Sequence, residues 1–201
     1  VTLTKKLVDA GKVRSVFVSS GIANTGVGEQ GMLDAIESIA LAADQVHVEA
    51  DEMAIGTTGV IGVELPMALI RAGIPNIKPT TEGGDAFARS IMTTDRVPKS
   101  VAIHAKIGSK TVTIGGCAKG SGMIHPDMAT MLSYITTDAA IDADFLDKTV
   151  REIVDDTFNM VTIDGDMSTN DTLMVFANGL AGNKSIVPGT PEAEAFAAAL
   201  F

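Results

Sequence analysis

The sequence predicts an α/β fold, a layered α/β sandwich with mixed, largely antiparallel strands, and three observations carry that reading. Apolar Val101, Ile103, Ala105 and Ile107 alternate with Ala102, His104 and Lys106, the period of a strand with one buried face. Leu146, Val150, Ile153, Val154 and Phe158 recur instead at helical spacing, the stripe by which a helix lies on a sheet. Both kinds of segment are distributed along the chain, without an internal repeat or low-complexity stretch, and hairpins mixed with helices favour layers of the two.

In chain order, residues 13–20 read as a buried strand that ends in a Gly/Asn turn. A helix is predicted over about residues 31–43, with Leu33, Ile36, Ala40 and Ala43 on its inner face. Residues 45–50 alternate as the next strand does, and residues 56–59 read as a tight turn leading to a short segment near 65–71. Gly108 and Ser109 separate two strand-like runs, an antiparallel hairpin. From Thr130 the chain runs Thr-Met-Leu-Ser-Tyr-Ile-Thr-Thr, rich in residues that suit a pleated surface, and this strand is placed near the sheet's centre. Asp142 is a candidate cap for the helix striped by Leu146, residues 173–177 return as a strand, and Thr190-Pro191 opens a last helix.

At 201 residues the chain can bury one substantial core, and a single domain over residues 1–201 is the favoured organisation. Its formal charge of −10 argues against a general nucleic-acid or anionic-membrane surface, because both require clustered Lys and Arg. An anionic substrate must then meet a local basic site. Cys117 is the single cysteine, so no intramolecular disulfide framework exists, and a reduced thiol with ten methionines suits the cytoplasm. Apolar runs are broken by Gly, Pro or charge before they reach membrane-spanning length, and no leader pattern is present. Both ends read as cuts: the last helix stops at Phe201 without Gly or a basic last turn.

The most informative stretch is Lys119-Gly-Ser-Gly-Met-Ile-His-Pro-Asp-Met-Ala-Thr130-Met-Leu. It sets a hydroxyl after a glycine-rich turn and before a strand. If the Ala129/Thr130 peptide bond is cut, Thr130 carries a free α-amine beside its own Oγ, and one residue supplies both nucleophile and general base. A strained Ala-Thr peptide can reach that state by transfer from nitrogen to Oγ, giving an ester that water opens, with Gly120 and Gly122 allowing the backbone geometry. A threonine heading a strand is, by itself, ordinary.

This stretch resembles the self-cleavage and nucleophile segment of the ornithine acetyltransferase family, also called glutamate N-acetyltransferase. Three further segments are similar to the family's in order and spacing: Thr57-Thr-Gly-Val-Ile-Gly62 with Leu65-Pro66-Met67, Ile91-Met-Thr-Thr-Asp95 with Val97-Pro98-Lys99, and Asp164-Gly-Asp-Met-Ser-Thr-Asn-Asp-Thr172. The resemblance implies an N-terminal-nucleophile-like fold, an α-chain part (residues 1–129) and the start of a β-chain (130–201). It implies Thr130 as nucleophile, Thr58 and Gly59 as hydroxyl and amide donors to an oxyanion hole, and Lys119 and Thr93 as substrate ligands beside Thr130. The reaction it implies takes the acetyl group of N-acetylornithine to glutamate, without metal or organic cofactor, in the service of arginine biosynthesis. Some members also accept acetyl-coenzyme A, and the two chains from one precursor assemble as a heterotetramer. Thr57 stands where the family usually has Ser, and Ile22 where it has Asn. The family's chains continue on both sides of this one.

Other patterns compete. Gly26, Gly28 and Gly31 with Asp51 match a dinucleotide-binding spacing, but several residues separate the predicted strand from Gly26, whereas that motif begins its turn directly after the strand. No Lys-Ser/Thr pair follows for a P-loop. Residues 164–175 imitate a calcium loop, yet Thr169 replaces its glycine and Val175 its final glutamate; turn stabilisation is the favoured role there. His47, His104 and His125 lack metal-ligand spacing, and Cys117 reads as a small buried residue. Three alternatives stay open: an N-terminal-nucleophile amidase or aminopeptidase, a dinucleotide-binding oxidoreductase, and a catalytically incomplete fragment.

Overall fold

Thr4, Ile55 and the segment between them set the pattern of the first half of the molecule, as seen in the computed structural model, which describes residues 1–125 and 131–201. The chain divides into two compact units, Val1–Asp95 with Thr169–Thr172, and Arg96–Ser168 with Leu173–Phe201.

In the first unit, helix α1 (Thr2–Asp9) precedes strand β1 (Ser15–Ile22), helix α2 (Gly28–Val46) and strand β2 (Met53–Val60). The two strands pair in parallel from Ser15↔Met53 to Ile22↔Val60, which requires a crossover, and α2 supplies it. Helices α3 (Met67–Gly73) and α4 (Gly84–Ser90) follow. Ala35, Ile39, Ala42 and Ala43 of α2 bury against Met53 and Ile55 of β2 and against Leu65, Met67, Ile70 and Ile74. Small residues on the inner face of α2 allow helix and strands to approach closely. Thr4 completes the layer: its hydroxyl donates to the Ile55 carbonyl at 2.6 Å and accepts from the Ile55 amide at 3.0 Å, which satisfies β2 on the edge away from β1.

In the second unit, β3 (Lys99–Ile107), β4 (Lys110–Lys119), β5 (Leu132–Thr137) and β6 (Thr172–Ala177) form one sheet in the order β3-β4-β5-β6. Antiparallel pairing runs from Lys99↔Ala118 to Ile107↔Lys110, and from Ile114↔Thr137 to Lys119↔Leu132. Gly108, at φ +58, makes the hairpin turn. Helix α5 (Ala143–Asp156) is capped by Asp142, whose side chain accepts from the Phe145 amide, and α6 (Pro191–Leu200) by Thr190, which accepts from the Ala193 amide. Phe196 is fully enclosed among Ile107, Val112, Ile114, Ala139, Ile186 and Ala193. Burying a phenyl ring of this kind stabilises by about 1.5–3 kcal/mol. Among the described residues no helix is long and apolar enough to cross a membrane.

The mixed α/β class, the hairpin, β5 as an interior strand, both capped helices and β6 agree with the sequence reading. Three local expectations are corrected. Helix α2 continues through residues 45 and 46 and is closed by His47 in the left-handed region, so residues 45–50 are not a strand. Residues 56–59 lie inside β2 rather than in a turn. The inner face of α2 is Asp34, Ala35, Ser38, Ile39, Ala42 and Ala43; Leu33 and Ile36 face outward, 59% and 50% exposed.

Candidate functional site

The second half of β2 carries the Thr57-Thr58-Gly59 triplet, and Thr57 and Thr58 are buried. Gly59 has φ +131, a region that only glycine enters at little cost. A Cβ there would run into the carbonyl carbon and oxygen of Gly21 and the amide of Ile22, so the position requires glycine twice over. The Thr57 hydroxyl is a node: it accepts from the Asn24 amide at 3.1 Å and from Asn170 Nδ2 at 2.8 Å. Asn170 Nδ2 also donates to the Thr57 carbonyl at 3.1 Å. Asn24 in turn donates to the Gly31 carbonyl at 2.7 Å, which fixes the loop between β1 and α2. A backbone held this firmly next to Thr58 and Gly59 has the preorganisation that a pair of oxyanion donors needs.

A second arrangement surrounds the turn that leaves β4. Gly120 has φ +149 and Met123 φ +57; of the two glycines expected to shape this turn, Gly120 takes a positive φ, and the other such position is filled by Met123 rather than Gly122. The Asp164 carboxylate accepts from the Met123 amide at 2.6 Å and from the Ile124 amide at 2.8 Å. These two backbone donors hold the Asp164 carboxyl below the usual carboxylate range. The Ile124 carbonyl accepts from the Ile163 amide at 2.9 Å and from the Thr162 hydroxyl at 3.1 Å. Residues 162–164 therefore grip Ile124 from both sides, six residues before Thr130 in sequence. The stretch that imitated a calcium loop spends its first carboxylate on backbone amides, in keeping with turn stabilisation.

Of the residues singled out in the sequence, Thr58 and Gly59 are consecutive on β2, and Thr93 lies in the same unit on an exposed bend where its amide donates to Asp95 at 3.5 Å. Lys119 belongs to the second unit. It is 2% exposed, and its register partner on β5 is Leu132, two positions beyond Thr130 in sequence. A lysine so enclosed keeps its charge only with compensation. Ala129 and Thr130 lie outside the described residues. Asn24 had no role in the sequence reading, and Asn170 only a share in the turn stabilisation expected of its segment; its contact with Thr57 was not foreseen.

The remaining candidates resolve simply. His47 closes α2, and the His104 ring meets the Thr113 hydroxyl at 3.2 Å. Cys117 is half-buried, and burial raises its thiol above the ordinary range. It pairs in register with Tyr134, whose hydroxyl is pushed up by burial and then by the thiol. Cys117 is therefore held away from the thiolate form that nucleophilic chemistry requires. A dinucleotide site is disfavoured on geometry. The acidic residue of that motif follows the second strand, whereas Asp51 precedes β2 and is spent on an exposed ion pair with Lys12 at 2.7 Å.

Comparison with known proteins gives one consistent result. The ArgJ family profile matches residues 1–201. The arginine biosynthesis bifunctional protein ArgJ of Symbiobacterium thermophilum is 52% identical over all of this chain, which covers 50% of that protein. The ArgJ of Bacillus subtilis is 48% identical over 94% of this chain and 46% of its own length. The chain thus spans about half the length of the curated relatives it matches. Two crystal structures are similar. ArgJ of Bacillus halodurans has TM-score 0.60 and 42% identity, and ornithine acetyltransferase of Mycobacterium tuberculosis complexed with ornithine has TM-score 0.57 and 34% identity, each over 65% of this chain and 69% of the other. With a family match that runs from its first residue to its last, this chain belongs to the ArgJ family.

Proposed function

We propose that the protein transfers the acetyl group of N-acetylornithine to glutamate through an acetyl ester on Thr130, after cutting itself between Ala129 and Thr130. The observation that carries this reading is in β2, where Gly59 takes a conformation reserved for glycine directly after the buried Thr58, in a chain of the ArgJ family. The Mycobacterium tuberculosis relative was crystallised with ornithine, which supports an ornithine-type substrate.

Self-cleavage begins as Thr130 Oγ attacks the Ala129 carbonyl. The acyl group moves from nitrogen to oxygen, which breaks the C–N bond and frees the Thr130 α-amine as the Oγ proton passes to it. Water then opens the ester to release the Ala129 carboxylate and restore the Thr130 hydroxyl. In turnover that amine takes the Oγ proton as Oγ attacks the acetyl carbonyl. The negative charge on the tetrahedral carbonyl oxygen is met by the Thr58 hydroxyl and the Gly59 amide. Collapse breaks the amide C–N bond, the proton passes to the departing nitrogen, and ornithine leaves. The glutamate amine then attacks the acetyl ester, Oγ recovers a proton, and N-acetylglutamate is released. Lys119 and Thr93 serve as substrate ligands, the lysine by charge toward a carboxylate. Acetyl-coenzyme A is a second acetyl donor in this scheme. Residues 1–129 and 130–201 form one catalytic core in the cytoplasm, as the α part and the beginning of the β part of a heterotetramer.

Intact mass spectrometry of wild type beside Thr130→Ala tests the first step. Wild type separates at Ala129/Thr130 and the variant stays whole. Exposure of the cleaved protein to N-acetylornithine then adds the mass of one acetyl group to the fragment that begins with Thr130, and glutamate removes it. Cleavage in both proteins, or an acetyl group on another residue, rejects the mechanism. Loss of the acetyl group to water in preference to glutamate identifies an amidase instead.

A further inference from the structure

Asn170 lies 113 positions from Thr57 in sequence, yet both of its described donor contacts end on that residue. The direction of the amide is fixed by chemistry, because a carbonyl accepts only from the NH2 end of an asparagine. Its Oδ1 accepts from the Thr169 hydroxyl at 2.9 Å, and its own carbonyl accepts from the Thr172 hydroxyl at 3.1 Å. The side chain is thereby held from behind while it reaches β2.

What it reaches is the edge of β2 that faces away from β1. Successive residues of an extended strand direct their N–H and C=O groups to alternate edges. Ile55 offers both groups to Thr4, which places Ile55, and with it Thr57, on the edge away from β1. Thr57 meets Asn170 there. The next residue on that edge is Gly59, whose N–H is one of the two proposed oxyanion donors. Thr4 and Asn170 thus do in sequence what a third strand would do, and the substitute strand ends one step before the amide needed for chemistry.

We propose that Asn170 is a positioning residue for the oxyanion site: by holding the Thr57 carbonyl and hydroxyl together it sets the plane of the peptides that present Thr58 and Gly59. This rests on the acetyl-transfer reading and assigns a task to the Asp164-to-Thr172 segment that the reading itself leaves without one. A positioned donor acts on the tetrahedral state more than on bound substrate, so its loss lowers kcat and spares KM.

The test follows acetylation of the intact, self-cleaved protein by N-acetylornithine, with rapid quench and mass analysis giving both rate and final stoichiometry. Asn170→Asp keeps the volume and removes the donor to the carbonyl; Thr57→Val keeps the volume and removes the shared hydroxyl. Each is expected to slow acetylation about 10-fold or more at unchanged final stoichiometry and with KM within about two-fold, and the double variant to be no slower than the worse single one, since both act on one contact. A rate equal to wild type in Thr57→Val or Asn170→Asp overturns the proposal. So does a loss of rate that merely tracks a loss of acetylatable protein, which signals folding alone. If Asn170→Asp does not fold, Thr57→Val decides by the same criteria. If wild type itself takes up no acetyl group, the acetyl-transfer reading falls and this proposal with it; if wild type is acetylated and the variants keep pace, the positioning role alone falls.

Discussion

Met123 holds a left-handed backbone conformation without being glycine, at a cost on the order of 1–3 kcal/mol. The Asp164 carboxylate accepts the amides on both sides of that strain, from Met123 and Ile124, and so offsets part of it. Charge matters here, because an ionised carboxylate is the stronger acceptor for backbone N–H groups. Asp164 has its folded pKa lowered by those same amides. The stability it contributes is therefore complete above its unfolded pKa and is lost as pH falls through the lower, folded value. Protection of the Met123 and Ile124 amides from hydrogen exchange should be substantial at neutral pH, decline in acid as Asp164 protonates, and vanish at every pH in Asp164→Ala. Protection at pH 7 that survives Asp164→Ala would show that Ile163 and Thr162 hold the turn unaided. Little of this was legible in sequence: the segment was visible as a motif, but the partner of its first carboxylate lies about forty residues upstream, and nothing in local spacing encodes a contact of that range.

Helix α2 shows where pattern reading succeeds and where it loses phase. Its existence was plain from a long run of good helix formers. Its inner face was not, because apolar residues occupy both sides: Leu33 and Ile36 on one, Ala35, Ile39, Ala42 and Ala43 on the other. A hydrophobic stripe chosen by side-chain size points to Leu33, whereas close packing on a sheet selects the small residues. The same ambiguity affected β2. Buried at six consecutive positions, it shows no alternation, and its glycines looked like a turn. Hairpin β3-β4 was legible because Gly108 interrupts clean alternation, and α5 and α6 because Asp142 and Thr190 are side-chain caps. The phase of α2 can be checked directly in this chain by urea unfolding. Ile39→Ala should cost about 2–5 kcal/mol as a core truncation, while Leu33→Ser should stay within about 0.5 kcal/mol as a surface change. Reversed magnitudes would place Leu33 in the core and refute the face described.

On the scale of the molecule, a formal charge of −10 surrounds a reaction whose two proposed amino-acid substrates differ in charge. N-acetylornithine carries one carboxylate and one ammonium group and is neutral overall at pH 7, whereas glutamate carries a net negative charge. Ten charges acting at ~20 Å in water repel a single anion by about 2 kcal/mol when unscreened. At physiological ionic strength the Debye length is about 8 Å, and most of that repulsion disappears. The proposed attraction of a substrate carboxylate to Lys119, which is 2% exposed, would act within a few ångströms and be screened far less, since buried pairs are screened less than exposed ones. Long-range repulsion and short-range capture are thus separable by salt. Raising ionic strength from about 0.01 M to about 0.15 M should increase kcat/KM for glutamate several-fold while leaving that for N-acetylornithine nearly flat. Lys119→Met should weaken binding at both salt concentrations without removing the salt response of the glutamate step. A fall in the glutamate kcat/KM with salt would mean that a local positive field governs its approach and outweighs the net charge. An equal response of both substrates would trace the effect to the protein's conformation rather than to its charge.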